Sequence, residues 1–208
     1  MGEKIMIKII GLTGPSGAGK TTLCKIADEF GIKSIDTDAV YHSLLVPPSP
    51  CLDELVAEFG EKILRPDGKL DRPILASIVF DEADEKKVKL ARLGEITHKY
   101  VLEKARKIIR SAESRGEAAI IVDAPALYES GFDKECDFVI CLLADHNLRL
   151  HRIVDRDNIS EERADARLGG QKDDSFYSSR ADYTLTNDRT PAEMKKDIEK
   201  ILSDRGII

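Results

Sequence analysis

Eight consecutive residues near the N-terminus, Gly14-Pro-Ser-Gly-Ala-Gly-Lys20-Thr21, have types and spacing that suit phosphate binding. They match the pattern G-x-x-x-x-G-K-S/T, in which glycines let backbone N–H groups turn towards an anion. The pattern predicts that Lys20 reaches the β- and γ-phosphates of ATP and that the Thr21 hydroxyl holds Mg²⁺. The nucleotide contacts expected here are Gly14, Ser16, Gly17, Ala18, Gly19, Lys20, Thr21 and Thr22. The competing interpretation is a glycine turn followed by a chance lysine.

A second magnesium ligand is predicted at Asp123, which ends the apolar run Ile120-Ile121-Val122. Aspartates in this position of phosphate-loop enzymes hold Mg²⁺, here expected through water. A strand-ending aspartate is also a common turn residue, so capping of the next turn is the alternative. The metal site predicted from the sequence therefore comprises Thr21 and Asp123.

Phosphate transfer to an alcohol requires a base, because the hydroxyl proton must leave as the new bond to phosphorus forms. Asp36 and Asp38 are the candidates, since they follow a short predicted strand at the sheet edge where the phosphate loop opens. Their spacing of two directs both side chains the same way if the chain is extended there. One of them is expected instead to cap the helix that begins near Ala39.

The segment from His146 to Arg180 follows another predicted strand end, where ligands bind in α/β sheets. It is rich in arginine, with Arg149, Arg152, Arg156, Arg163 and Arg167. Such a group can neutralise phosphate charge through paired hydrogen bonds. We predict functional roles for Arg152, Arg156 and Arg167, and we interpret Arg149 and Arg163 as surface charges. The alternative is a structural helix whose arginines pair with Asp155, Asp157 and Asp165.

The elements that must position these residues read as an α/β fold. Ile5–Leu12 is β-rich and apolar and precedes the loop, and Thr21–Phe30 has helical periodicity that Gly31 ends. Further strands are predicted at Lys33–Asp36, Ala118–Val122, Asp137–Leu143 and Tyr183–Leu185. Their nearly unbroken apolar character favours a doubly wound parallel sheet covered by helices on both faces. Thr190-Pro191-Ala192-Glu193 is a capping box that should open a C-terminal helix.

Between Tyr41 and Gly116 the sequence predicts helices and no strand, apart from Val46-Pro-Pro-Ser-Pro50 and the turn at Pro66-Asp-Gly68. A long charge-rich stretch from Glu82 to Ser114 is expected to cover one side of an acceptor pocket. We therefore predict a nucleotide-binding core at residues 1–40, 117–145 and 181–208, a helical acceptor-binding insertion at 41–116 and a lid at 146–180.

Composition limits the classes of function. A chain of 208 residues with 42% hydrophobic content and a net charge of −6 favours one soluble domain with an appendage. Bulk electrostatics of that sign do not favour nucleic acid or anionic membranes, and no apolar run resembles a signal or a membrane span, so we expect a cytoplasmic protein. The cysteines have no metal-site spacing and are expected to be reduced thiols without a function: Cys24, Cys51, Cys136 and Cys141.

A series of signatures makes the interpretation more specific. Gly11-Leu-Thr-Gly14 leads into the phosphate loop, Ile35-Asp-Thr-Asp38 is followed by His42, and Leu70-Asp71-Arg72 precedes Pro125-Ala-Leu-Tyr-Glu129. The series continues with Leu150-His-Arg152, Arg156-Asp157, Arg167, Gln171, Ala181-Asp182 and Asn187. In order and spacing it resembles the dephospho-coenzyme A kinases, over nearly the whole chain from Ile9 to Ile201.

The resemblance implies transfer of the ATP γ-phosphate to the ribose 3′-hydroxyl of dephospho-coenzyme A, the last step of coenzyme A synthesis. It places the general base at Asp38 and Asn187 near the adenine. The further catalytic candidates are Lys20 of the phosphate loop and Arg152 and Arg156 of the arginine-rich segment. The acceptor-binding residues that it implies are Asp38, His42, Arg72, His98, Pro125, Leu127, Glu129 and Arg167. The chain departs from the family pattern at His98-Lys99, where His-Pro is usual, and at Pro125-Ala126-Leu127, where Pro-Leu-Leu is usual.

Other interpretations remain open at this stage. A nucleoside monophosphate kinase would share the loop and the lid, and only the acceptor region separates the two. A non-enzymatic nucleotide switch is disfavoured because the sequence has no Asn-Lys-x-Asp and carries its arginines in cis. Taken singly, Arg72 could begin a helix or pair with Asp71, and Glu129 could act as a cap. The oligomeric state stays open.

Overall fold

The computed structural model describes residues 6–80 and 86–208 of the chain. The predicted strand start at Ile5 and residues 82–85 of the predicted long helical stretch lie outside the described residues. The described part forms two compact units. One takes in the residues up to Ile35 and from Ile109 onwards, and the other runs from Asp36 to Ile108.

Five strands form one sheet in the order β2-β3-β1-β4-β5. Their bounds are β1 Lys8–Thr13, β2 Lys33–Asp36, β3 Ala119–Asp123, β4 Phe138–Leu143 and β5 Tyr183–Thr186. Strand β1 runs parallel to both β3 and β4, with Ile10 opposite Ile121 on one side and Phe138 on the other. Strands β4 and β5 are also parallel. The predicted α/β fold with a parallel sheet is confirmed.

The central strands are buried because helices cover them. Helix α1 spans Lys20–Glu29, and the C-terminal helix, here α9, spans Pro191–Asp204. Leu23 of α1 and Ile198 of α9 belong to one core with Ile10 and Ile140 of the sheet. Burying a side chain of this size contributes roughly 1.5–3 kcal/mol. The chain therefore reads as continuous apolar runs at β3 and β4, as the sequence indicated.

Local signals account for the bounds of these helices. Helix α1 starts directly after Gly19, which has a left-handed backbone conformation with φ 99°. Gly31, with φ 80°, lies in the turn that follows the C-terminal end of this helix. At α9 the Thr190 side chain and the Glu193 side chain each bond the other residue's backbone N–H. The predicted capping box is confirmed.

The unit from Asp36 to Ile108 is helical. It contains α2 Thr37–Ser43, α3 Pro50–Phe59, α4 Arg72–Val79 and most of α5 Lys86–Ser114, with a 3₁₀ turn at Glu61–Ile63. After Asp36, which ends β2, its described residues contain no strand, only an isolated bridge between Leu64 and Leu70. It has its own core, in which Leu55, Ile63 and Ile96 are almost fully buried. The prediction of a helical segment here is confirmed.

Three more helices follow β4: α6 His146–Asp157, α7 Glu161–Gly169 and α8 Asp174–Ser178. Side-chain caps begin all three, from Asp145, Ser160 and Asp173. Leu150 and Ile153 of α6 pack against Ala164 and Leu168 of α7 in a small cluster. In the described residues no helix combines the length and apolar character needed to span a membrane. All four cysteines are described, and none forms a disulfide.

Candidate active site

The phosphate loop joins the C-terminal end of β1 to the first turn of α1. A helix N-terminus presents backbone N–H groups and a partial positive charge, so this junction favours an anion. Gly17 shows why the loop requires glycine. Its φ is 78°, and a Cβ atom there would lie 2.7 Å from the carbonyl oxygen of Arg149 in α6. The loop is thus both left-handed at this residue and in close contact with α6.

Lys20 holds the first part of the loop. Its Nζ donates to the carbonyl oxygens of Gly14 at 2.8 Å and Pro15 at 3.3 Å. These bonds place the ammonium group directly over the loop that should receive the phosphates. The lysine therefore lies where a charge can stabilise a bound phosphate.

Arg152 and Asn187 hold the second part of the loop. Arg152 Nη1 donates to the carbonyl oxygens of Gly17 at 3.1 Å and Ala18 at 3.4 Å. Asn187 Nδ2 donates to the same Ala18 oxygen at 2.7 Å. A carbonyl oxygen repels phosphate. Because donors bind the carbonyl oxygens of Gly17 and Ala18, the backbone N–H groups are the part of the loop that is left to bind an anion.

Asn187 lies immediately after β5 and is 7% exposed. Its backbone N–H donates to Leu143 at 2.7 Å, and its carbonyl accepts from Arg152 Nη2 at 3.2 Å. The residue that the family resemblance places near the adenine is therefore built into the support of the phosphate loop. The sequence offered no signal for this contact, since 169 residues separate Asn187 from Ala18.

Arg156 and Arg167, the other two arginines predicted to be functional, both bind Asp157. Arg156 does so through Nε at 2.7 Å and Nη2 at 2.9 Å, and Arg167 through Nη1 at 2.6 Å. Both arginine side chains are more than half exposed. The hydrogen bond from Arg156 is the main cause that lowers the pKa of Asp157. The pairing with Asp157 is the one described by the structural-helix alternative.

The sequence-based prediction that Arg149 is a surface charge is wrong. Its side chain is only 12% exposed and its Nη1 pairs with Asp174 of α8 at 3.2 Å. Its Nε is buried without a hydrogen-bond partner. Arg149 lies one turn before Arg152, on the same side of α6, and that i, i+3 spacing was the signal that could have found it. Arg163 is exposed, as predicted.

Gln171 also contacts the loop. Its Oε1 accepts a hydrogen bond of 2.9 Å from the backbone N–H of Ser16. Glutamine is not a residue type that signals a contact with a phosphate loop, and 155 positions separate Gln171 from Ser16. Gln171 is one of the residues of the family resemblance, but the resemblance gave it no role.

The two predicted magnesium ligands lie at the start of α1 and at the end of β3. Thr21 is the second residue of α1, and Asp123 ends β3 opposite Leu12 of β1 with its Oδ1 buried. Among the described residues no cluster of three or more His, Cys, Asp or Glu side chains could hold a metal unaided. A hydroxyl and a carboxylate suit Mg²⁺, which keeps several waters and takes further ligands from substrate phosphates. The residues fit an ion that arrives with the nucleotide.

Asp36 and Asp38 occupy different kinds of position. Asp36 ends β2, and its Oδ1 accepts from the backbone N–H of Ala39 at 2.9 Å, which makes it the cap of α2. Asp38 lies in the first turn of α2 and is exposed. The chain is helical from Thr37, so the expectation that both carboxylates point the same way from an extended strand is wrong. The cap and the candidate base are nevertheless two different residues, as expected.

Two acceptor candidates of the helical unit contact each other. Arg72, the first residue of α4, lies with its Nη2 at 2.7 Å from His42 Nδ1. Since arginine can only donate, Nδ1 of His42 must accept and carries no proton in this contact. Asp71 caps α4 by accepting from Ile74. The fold thus joins two predicted residues that lie 30 positions apart.

The departure from the family pattern at His98-Lys99 has a local explanation. Lys99 Nζ binds Glu54 of α3 at 2.6 Å, and the Tyr100 hydroxyl donates to the same oxygen at 2.7 Å. The bond from Lys99 is the main cause that lowers the pKa of Glu54. Lysine at this position therefore ties α5 to α3. His98 is half-buried one turn beyond Gly94.

The turn after β3 carries the last group of acceptor candidates. Pro125 and Glu129 are exposed, whereas Leu127 is fully buried. Leu127 Cδ2 lies 2.9 Å from where a Cβ atom on Gly11 would stand, so its side chain packs on β1. The residue between Leu127 and Glu129 in the sequence is Tyr128, whose hydroxyl donates to the carbonyl of Tyr177 at 3.2 Å.

Comparison with known proteins identifies the family of this chain. The family model for dephospho-CoA kinase matches residues 8–193. Dephospho-CoA kinase from Symbiobacterium thermophilum is 35% identical, covering 91% of this chain and 79% of that protein. The enzyme from Moorella thermoacetica is 37% identical, covering 83% and 80%. The structure of dephospho-CoA kinase from Campylobacter jejuni is similar with a TM-score of 0.66 at 28% identity, covering 96% of this chain and 98% of that one. The chain belongs to the dephospho-CoA kinase family.

Proposed function

We propose that this chain, a kinase of the dephospho-CoA kinase family, transfers the γ-phosphate of ATP to the ribose 3′-hydroxyl of dephospho-coenzyme A and releases coenzyme A and ADP. Family membership supports the acceptor and the reaction. The single structural observation that carries the proposal is the phosphate loop, whose carbonyl oxygens are bound by Lys20, Arg152 and Asn187. A loop held in this way is organised for phosphates before they arrive, which is what electrostatic catalysis requires.

On the nucleotide side, the backbone N–H groups of the loop bind the phosphate oxygens and Lys20 bonds the β- and γ-phosphates. The ammonium group of Lys20 then leaves the loop carbonyls that it contacts in the free protein. Arg152 keeps its place on the loop, and Asn187 acts by supporting the loop beside the adenine.

On the acceptor side, Asp38 is the general base. The ribose 3′ oxygen attacks the γ-phosphorus, the bond from that phosphorus to the β–γ bridging oxygen breaks, and ADP leaves with the electron pair. The hydroxyl proton passes to the Asp38 carboxylate. Its exposure in the first turn of α2 supports this role, because the side chain is not committed to capping as Asp36 is.

In the proposed reaction, Mg²⁺ bound with ATP would neutralise charge on the phosphates. Thr21 and Asp123 would hold it, Thr21 through its hydroxyl and Asp123 through water.

The other acceptor contacts are proposed from the family resemblance and from exposure. Arg72, with His42 beside it, and the exposed Glu129 and Pro125 would bind the acceptor, together with His98. Leu127 contributes by shaping the turn from below, because its side chain is buried. The acceptor-binding insertion comprises residues 41–116, and the nucleotide-binding core comprises 1–40, 117–145 and 181–208.

Residues 146–180 form the proposed lid, which excludes water when both substrates are bound. Arg156 and Arg167 would exchange Asp157 for phosphate or acceptor oxygens as the lid closes. Both side chains are exposed and share a single carboxylate, which supports such an exchange.

We place the reaction in the cytoplasm, where ATP is supplied and where cysteines without disulfides are usual.

The test is incubation with ATP, Mg²⁺ and a panel of dephospho-coenzyme A, AMP, CMP and shikimate, followed by mass analysis. We expect a gain of one phosphate on dephospho-coenzyme A alone. A phosphate gain on AMP or CMP would instead support a nucleoside monophosphate kinase. Hydrolysis of ATP without any phosphorylated acceptor would support a nucleotide switch.

A further inference from the structure

A side-chain oxygen occupies one of the backbone donors of the phosphate loop. Ser16 N–H, which lies two residues after Gly14, donates to Oε1 of Gln171 at 2.9 Å. In loops of this pattern the backbone N–H groups are the phosphate ligands. The amide oxygen of Gln171 therefore stands where an anion's oxygen would be expected to bind.

Gln171 is held in this position from both sides along the chain. Its own backbone N–H donates to Leu168 at the end of α7 at 3.1 Å. Three residues later, Asp174 pairs with the largely buried Arg149 of α6 at 3.2 Å. Arg149 is also the residue whose backbone packs on Gly17 of the loop. The contact between Gln171 and Ser16 is thus part of a defined set of contacts between the lid segment and the loop.

A third attachment fixes the far end of this segment. Tyr177 is 6% exposed, and its carbonyl accepts from the Tyr128 hydroxyl at 3.2 Å. The ring of Phe176 meets the ring of Tyr128 edge-on, with centroids 5.9 Å apart. Residues 171–177 are therefore anchored at Arg149 and at Tyr128, and these anchors aim the Gln171 side chain at the loop.

We propose that Gln171 is a positioning residue that occupies the Ser16 N–H in the nucleotide-free protein and is displaced by a phosphate oxygen of ATP. This inference rests on the proposed nucleotide role of the loop. A neutral amide oxygen is a weaker acceptor than a charged phosphate oxygen, so the phosphate replaces it. The glutamine therefore competes with the nucleotide for this one donor of the loop.

If Gln171 competes with ATP, removing its side chain should change the affinity for ATP in the direction opposite to that expected for a merely supporting contact. Removing a contact made only in the free protein strengthens ligand binding, because less must be broken on binding. A contact that only pre-organises the loop would have the opposite effect when removed. The affinity for ATP therefore separates the two roles.

The experiment compares Gln171→Ala, Gln171→Asn and Gln171→Glu with the parent, and uses Ser179→Ala as a matched control. Ser179 is an exposed polar residue of the same segment. The dissociation constant for ATP with Mg²⁺ is measured by titration calorimetry, without any acceptor. We expect Ala and Asn, whose side chains cannot reach Ser16, to bind ATP about two- to tenfold more tightly, the range of one hydrogen bond. Glu should bind ATP more weakly than the parent, because a carboxylate holds the N–H more strongly and repels phosphate.

A second measurement does not depend on ATP. Amide hydrogen exchange at Ser16 in the nucleotide-free protein should be faster in Gln171→Ala than in the parent and in Ser179→Ala, because the bond that protects this N–H is gone. Weaker or unchanged ATP binding in both the Ala and Asn variants would overturn the inference, as would unchanged exchange at Ser16. Failure of the parent to bind ATP would instead contradict the proposed function, so the two failures are distinguishable.

Discussion

The phosphate loop and the helical unit from Asp36 to Ile108 differ in how their candidate residues are held. Lys20, Arg152 and Asn187 all donate to backbone carbonyls of the loop. In the helical unit, by contrast, Arg72 contacts another candidate side chain, His42, and Asp38 is exposed. Backbone carbonyls are fixed in space by the chain, whereas exposed side chains can change partners at little cost.

This contrast indicates where each half of the proposed reaction is organised. The phosphate-binding half is shaped in the free protein by bonds to its own backbone, so substitutions there should remove transition-state stabilisation. In the helical unit the side chains of Arg72 and His42 contact each other and the Asp38 side chain is exposed, so we expect these groups to rearrange when an acceptor binds. Substitutions there should act first on acceptor affinity, with Asp38 as the exception because of its proposed chemistry.

The largest effect is expected at Lys20. Lys20→Ala should lower turnover by about 10³-fold or more, because the ammonium group stabilises charge on the transferred phosphate and contributes little to packing. A coupled ATP turnover assay measures it, and circular dichroism checks that the fold is intact. Turnover within about threefold of the parent, less than ~1 kcal/mol in the barrier, would contradict the assignment.

Asp38 comes next. Asp38→Asn should lower kcat by roughly 10²-fold or more with little change in ATP binding, because a general base contributes about 10²- to 10⁴-fold. Asp36→Asn is the matched control, since asparagine also caps helices well. If Asp36→Asn has the larger effect on kcat, the base is Asp36 and the assignment taken from the resemblance is wrong.

Arg72→Ala should act on the acceptor alone. We expect the KM for dephospho-coenzyme A to rise about tenfold or more while the KM for ATP stays the same, since a hydrogen bond from a charged group contributes roughly 1.5–3 kcal/mol. Arg92→Ala serves as the control, because Arg92 is an exposed arginine of the same unit that pairs with Glu58 and Glu95. Equal effects of both variants on both substrates would remove Arg72 from the acceptor site.

Arg156→Ala tests the lid and should lower kcat by about tenfold, more than it lowers ATP affinity, because its charge would matter most in the transition state. Within the proposed lid, amide exchange in the part around Arg156 and Arg167, outside the anchored residues 171–177, should be fast in the free protein and slower with ATP and Mg²⁺. Arg163→Ala, which alters an exposed arginine of α7, is the control.

The structural-helix alternative predicts a different pair of results for Arg156. Exchange in this segment would be slow and independent of ATP, and Arg156→Ala would lower the melting temperature while sparing turnover. That outcome would mean that the bond between Arg156 and Asp157 is a structural contact, and it would contradict the proposal that this segment is a lid.

The smallest effect is expected for the cap of α2. Asp36→Ala should lower the free energy of unfolding by about 1 kcal/mol, because the N–H of Ala39 loses its acceptor. Asp38→Ala should not, since Asp38 does not cap the helix. Urea denaturation of both variants measures the difference. Equal destabilisation would show that the two carboxylates share the cap.

Local chemistry determined much of this protein from its sequence. The phosphate loop, the strand bounds at Lys33–Asp36 and the capping box at Thr190 each depend on residues that are neighbours in the chain, so their types and spacing specify them. The parallel sheet followed from the unbroken apolar runs, because only strands covered on both faces bury every side chain. The family signatures extended the same local information over nearly the whole chain.

The tertiary structure alone decided which distant groups meet the loop. Arg149 is largely buried because α6 packs its backbone against Gly17 and α8 brings Asp174 to its guanidinium. The i, i+3 spacing from Arg152 indicates a shared side of α6, but it specifies neither of these contacts. Gln171 and Asn187 reach the loop across more than 150 positions. Residue type sets what a side chain can donate or accept, but packing sets which group lies within 3 Å of it, and that is a property of the whole fold.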